Sequence, residues 1–205
     1  EYVFTDRKSM VNQREVGFDT RGYPTALRHV VRQAPDVILI GEMRDQETVG
    51  AALAAAETGH LVLSTLHTVN AVQTVERILS FFPPYQHDEV RMQLSLVLEG
   101  VISQRLLPRK NDQTRVPAVE IMLGTPTIRE LLHEGKTLEL EKAIYEGAQY
   151  YGTQTFHQSI CSLYRGGLIS YEDALSASDN PDELKLELRG ITKGAQAARY
   201  DFQAS

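Results

Sequence analysis

The chain reads as an α/β protein built on a parallel sheet and followed by a run of short helices, and two stretches carry that reading. Residues 34–68, APDVILIGEMRDQETVGAALAAAETGHLVLSTLHT, hold two apolar runs, Val37 to Ile40 and Leu61 to Leu66, on either side of an alanine-rich segment. Strand, helix and strand within this span make a βαβ unit, and continuous apolar strands imply a parallel sheet covered on both faces. From Thr125 onward the pattern changes to short helical segments, each with its own capping residue and stop.

Composition bounds the rest. The 205 residues are enough for a substantial core. Hydrophobic content of 42% and charged content of 23% are globular values, so disorder is not the default. The net charge is −6 and no basic run exceeds Arg109–Lys110, which leaves no nucleic-acid footprint. Cys161 is the single cysteine, which excludes a disulfide framework and a thiolate-built zinc site and points to a reducing compartment. No apolar run reaches the roughly 18 residues that span a bilayer, and no signal peptide opens the chain, so any membrane connection is expected through partners. Glu1 to Phe4 reads as the end of a strand and Met10 is not an initiator, so the chain is expected to be a fragment.

Taken in order, Thr5 to Ser9 reads as a polar turn, Met10 to Val16 as a short strand, and Gly22 onward as a helix ended by Pro35. Arg28 and Arg32 stand one turn apart on that helix. They read either as a solvated face or as groups near one rim of the sheet. Asp45 caps the alanine-rich helix and Gly59 stops it. A helix from Asn70 to Phe82 ends at Pro83–Pro84, and a second, about Gln86 to Leu106, carries Val90, Leu94, Val97 or Leu98, and Val101 or Ile102. Val116 to Leu123 alternates as another strand of the sheet. Thr125–Pro126 opens a helix from Thr127 to Glu134 with Gly135 as its stop. Thr155 with Gln158 and Ser170 with Asp173 have capping-box spacing, and Asn180–Pro181 opens the last clear helix, which ends at Gly190. Residues 192–205 read as a frayed tail.

In open parallel sheets ligands bind beyond the carboxyl ends of the strands, where Glu42 and His67 stand. An acid at such a place orients magnesium or polarises the attacking water in phosphoryl transfer, or else it solvates a strand end. Arg44 and Asp45 make it part of a charged cluster. His60 and His67 lie seven residues apart, roughly 23 Å if extended, and on opposite faces. The carboxyl-end rule assigns His67 to the ligand side, beside the hydroxyls of Thr65 and Thr68, and leaves His60 as a structural or subunit-contact residue. A phosphate loop of the form Gly-x-x-x-x-Gly-Lys-Ser/Thr is missing, since Gly147 to Thr153 lacks the lysine and a preceding strand.

The stretches VNQREV (11–16), PDVILIGEMRD (35–45), AAETGHLVLSTLHT (55–68), ISQRLLPR (102–109) and EIMLGTPTIRELLHE (120–134) together resemble the type IV pilus retraction ATPases, the PilT-like branch of the secretion ATPase superfamily. The resemblance implies a RecA-like ATPase core of the P-loop type over residues 1–124, a helical C-terminal region over 125–191, and ATP with Mg2+ as cofactors. It implies a cytoplasmic homo-hexamer at the inner-membrane face of a pilus machine, in contact with a platform protein.

By that resemblance Asp36 to Glu42 is the Walker B segment, with Glu42 as the water-activating acid, His67 near the γ-phosphate, and Asp36, Gly41, Arg44, Thr65 and Thr68 associated with nucleotide or magnesium. Arg14, Arg28 and Arg32 occupy the region from which the superfamily draws nucleotide-contacting arginines. Thr127, Ile128, Arg129, Glu130, Leu131, Leu132, His133 and Glu134 resemble the retraction helix, with departures at Thr127, Glu130 and His133. Glu1 matches the last acid of an aspartate box. The phosphate loop and a PAS-like domain are implied to lie upstream. Extension and secretion ATPases carry a four-cysteine zinc motif, so one cysteine implies no structural zinc and the retraction branch. The competing readings are a non-hydrolysing accessory subunit of the motor and an extension or secretion ATPase.

Overall fold

The computed structural model describes residues 3–189, which fall into two compact units. The first runs to Gly100 and takes in Leu123–Ala143; the second comprises Val101–Met122 and the residues from Ile144 on. The end of the last helix at Gly190, the 192–205 tail and Glu1 lie outside the described residues.

In the first unit α1 (Tyr23–Val30) continues as a 3-10 turn, Val31–Gln33, and leads into β1 (Val37–Ile40). The helix α2 (Gln46–Glu57) and β2 (Leu61–Ser64) complete the unit expected from the sequence. Alanine has the highest helix propensity, and the Asp45 carboxylate accepts the Thr48 N–H at 2.8 Å, satisfying a donor that α2 itself leaves free. Gly59, at φ +91°, turns the chain where a side chain would be strained. The strands pair in parallel, from Val37 opposite Leu61 to Ile40 opposite Ser64.

Leu27 of α1 and Ala52 and Ala55 of α2 pack with Ile38 and Ile40, which covers one face of this sheet. Of the two faces expected to be covered, the described residues cover one. Val37, Leu39, Leu61 and Leu63 point the other way and are 45–62% exposed, and among the described residues nothing covers them. The expected strand over Met10 to Val16 is also corrected: Val3–Glu15 form no regular element. Side chains take the place of a ladder there, with Gln13 Oε1 accepting the Phe4 N–H and Asp6 Oδ1 accepting the Val11 N–H, both at 2.8 Å.

The Asn70 side chain caps α3 (Ala71–Ser80) by accepting the Gln73 N–H. The next helix, α4 (His87–Val97), is shorter than expected. Leu98 leaves the helix with ψ 113°, and Gly100–Pro108 is a strand, β3, rather than the helix's last turns. Val101 and Ile102 continue the helical stripe, but their β-branched side chains favour an extended chain once Gly100 has weakened the helix. The strand β4 (Arg115–Leu123) pairs with β3 in a second sheet, not with β1 and β2. Six residues join the two strands, too few for a parallel crossover, so they form an antiparallel hairpin, closed by the Arg109 N–H to the Thr114 carbonyl at 3.0 Å.

The first unit is completed by α5 (Pro126–Glu134), which packs on α4. In the second unit the hairpin shares a core with the later helices, where Leu107 and Ala118 meet Phe156, Ile160 and Cys161 of α7 (Phe156–Arg165) and Leu184 of α9 (Pro181–Leu188). Between them come α8 (Tyr171–Ala177) and, before α7, α6 (Leu140–Tyr151), which begins in the first unit. Thr155 and Gln158 form the capping box of α7, and Ser170 and Asn180 cap α8 and α9.

Candidate functional site

Parallel strands of equal length with no stagger end side by side, and whatever follows one lies beside whatever follows the other. The pairing runs on past the ladder, because the Met43 N–H donates to the Thr65 carbonyl at 3.2 Å and the Thr65 hydroxyl donates to the Gly41 carbonyl at 2.6 Å. Glu42 and His67 are thereby brought together, with His67 Nε2 3.1 Å from Glu42 Oε1. Arg44 holds the other oxygen, its guanidinium 2.6 Å from Oε2. The hydrogen bond from Arg44, reinforced by its charge and by His67, keeps the Glu42 carboxyl below the ordinary carboxylate value. The result is an ionised acid, fixed at both oxygens, beside an exposed imidazole. This set can accept a proton from water and donate a hydrogen bond to an anion.

Other candidates sit elsewhere. Asp36 stands at the amino end of β1, roughly 20 Å of extended chain from Glu42, and its carbonyl accepts the Leu61 N–H. His60 opens β2 with Nδ1 3.1 Å from the Ala55 carbonyl and 3.2 Å from the Thr58 hydroxyl, bracing the end of α2. The Thr68 hydroxyl is 2.7 Å from that of Thr74 on α3. Arg14 is exposed and donates to the Gln13 carbonyl. A Cβ at Gly41 would lie 3.9 Å from the Tyr23 hydroxyl, so the start of α1 is beside the Glu42 end of β1. Arg28 and Arg32 follow toward the opposite end, Arg32 about 13 Å further along at the helical rise. They are not brought together with Glu42.

In α5, Thr125 accepts the Ile128 N–H and Ile128, Leu131 and Leu132 are buried, while Thr127, Glu130, His133 and Glu134 face solvent. Arg129 does more than the motif suggests. Its guanidinium donates to the carbonyls of Ser95 (2.9 Å), Leu96 (2.6 Å) and Gly124 (2.8 Å) and to Glu99 Oε1 (3.1 Å). It thus takes up carbonyls that the end of α4 cannot satisfy within the helix. Gly124 belongs to the same knot, since a Cβ there would stand 2.2 Å from the Leu98 carbonyl oxygen and 2.9 Å from Arg129. Sequence reasoning missed Gly124; its place directly before a Thr-Pro helix start was the available signal. It also missed the buried Ser64 hydroxyl at the end of β2, which has no hydrogen-bond partner among the described residues.

Residues 9–175 match the model of the family described as Type II/IV secretion system protein. The chain is 44% identical over 189 residues to the type IV pilus ATPase PilU of Pseudomonas aeruginosa, covering 92% of this chain and 49% of that protein. It is 47% identical over 182 residues to the type IV pilus retraction ATPase PilT of the same organism, covering 89% of this chain and 52% of that protein. The fold superposes on a crystal structure of the pilus retraction motor PilT with bound ADP at a TM-score of 0.78 and 49% identity, over 90% of this chain and 51% of that one. The architecture is therefore the α/β, RecA-like P-loop type. The chain spans about half the length of these curated relatives. Among the described residues no helix is long and apolar enough to cross a membrane.

Proposed function

Because the chain belongs to the Type II/IV secretion system protein family, we propose that it is part of an ATP-hydrolysing motor that powers type IV pilus retraction. The motor works as a cytoplasmic homo-hexamer against a platform protein of the inner membrane. The observation that carries this reading is the Glu42–His67 contact at the shared end of β1 and β2, with Arg44 behind it. An ionised acid beside an imidazole suits the γ-phosphate end of a bound nucleotide. The backbone cradle for the phosphates is supplied by other residues of the protein.

Bound ATP and Mg2+ supply the phosphoanhydride and neutralise its charge. Glu42 orients the attacking water and accepts its proton. His67 donates a hydrogen bond toward the terminal phosphate, and Arg44 holds the carboxylate in its charged form. The Arg129 knot suits α5 to a coupling role, since motion of this helix is transmitted to α4. In the complete protein Glu42→Ala is expected to lower the hydrolysis rate about 10²–10⁴-fold while nucleotide affinity stays within a few-fold. Undiminished turnover in that variant would remove Glu42 from the reaction.

A further inference from the structure

We infer that His157, Cys161 and Glu187 form a binding site for a divalent transition cation, zinc by preference, which staples α9 to α7. The capping box fixes where α7 begins, and the i, i+4 spacing then stacks His157 and Cys161 on one face of it. Leu184 is fully buried in the core that contains Cys161, and Glu187, three residues further along α9, falls on the same side. Ligand atoms from all three side chains lie within 4.8 Å of one another, with His157 Nε2 2.6 Å from Glu187 Oε2. Arg165 binds the other oxygen, Oε1, at 3.2 Å, so Oε2 is turned inward and held there.

The single cysteine led to the expectation of no zinc site, but one thiolate with a histidine and a carboxylate beside it is a sufficient ligand set, and these donors select the cation. One sulfur, one imidazole nitrogen and one carboxylate oxygen match a borderline metal and are wrong for calcium or magnesium, which take oxygen shells. Tetrahedral zinc with bonds of about 2.0–2.3 Å sets its ligand atoms about 3.4–3.6 Å apart, so the present arrangement needs shifts of about an ångström. His157 and Glu187 keep 20% and 26% of their side chains exposed, which leaves a path for the ion and for a water in the fourth position. A nucleophilic thiol is a poor alternative, since Cys161 is 2% exposed and no substrate reaches it. An ion pair between His157 and Glu187 would need no sulfur beside it.

The test is Co2+ binding to the full chain, followed by optical spectroscopy. The expected result is one equivalent bound, with a sulfur-to-cobalt charge-transfer band and tetrahedral visible bands, both abolished by one equivalent of Zn2+. Cys161→Ser should remove the charge-transfer band, and His157→Gln and Glu187→Gln should each weaken binding at least tenfold. Zn2+ should raise the unfolding midpoint of the wild-type chain and not that of the variants. The proposal is overturned if excess Co2+ gives no charge-transfer band, or if the band and affinity are unchanged in His157→Gln and Glu187→Gln. Those two partly exposed positions decide the matter even if Cys161→Ser fails to fold.

Discussion

At the residue scale the acid at the end of β1 is defined by what touches it. Arg44 and His67 stabilise the charged form of Glu42, so its folded-state pKa is lowered and the benefit is present above the ordinary carboxylate range. The contribution is lost as pH falls through the lowered value. A titration of the Glu42 side chain by carbon NMR is expected to give a midpoint below that of an ordinary glutamate, and Arg44→Ala is expected to move it upward. An unchanged midpoint in that variant would mean that the 2.6 Å contact has no electrostatic weight in solution. The meeting of Glu42 and His67 was legible in the sequence because two apolar runs of similar length each end in a polar residue. The partner of the acid was legible only as a charged cluster. The grouping of His157, Cys161 and Glu187 was not legible, because a solitary cysteine carries no pattern and Glu187 arrives from another helix.

At the scale of elements, caps and stops were the dependable signals. Asp45, Asn70, Thr125, Thr155, Ser170 and Asn180 all cap the helices that follow them. Periodicity misled where α4 gives way to β3, since residues 90, 94, 97 and 101 fit a helical stripe while 101 and 102 also suit a strand. Membership of a sheet was illegible for β4, because alternation shows one covered face and not which strand lies alongside. The junction of α4 and α5 yields a prediction of its own. Gly124→Ala drives a methyl group into the Leu98 carbonyl and is expected to destabilise the fold by about 1–3 kcal/mol. Arg129→Lys cannot reach carbonyls and carboxylate together and is expected to lower the unfolding midpoint as well. Denaturant titration of each variant against the wild type measures both, and a Gly124→Ala midpoint equal to wild type would show that the backbone yields freely there.

At the scale of the whole molecule the uncovered side of the β1–β2 sheet matters most. Continuous apolar strands suggested burial on both sides, and the described residues cover only one. The 205-residue chain alone is therefore expected to bind a hydrophobic dye and to self-associate, with both effects reduced when Leu39 and Leu63 are replaced by lysine and absent in the complete protein. Dye fluorescence and light scattering check this, and a monomeric chain that binds no dye would contradict it. The same feature bears on how the two strands stay aligned. Where one side is oily and the other polar, a slip by one residue is prevented by hydrophobicity itself. Here Val37 and Leu39 are as greasy as Ile38 and Ile40, so that safeguard is weak, and the Thr65–Gly41 bond and the acid–imidazole contact act as the detent. Neutralising Glu42 would then loosen the strand alignment as well as remove a proton acceptor.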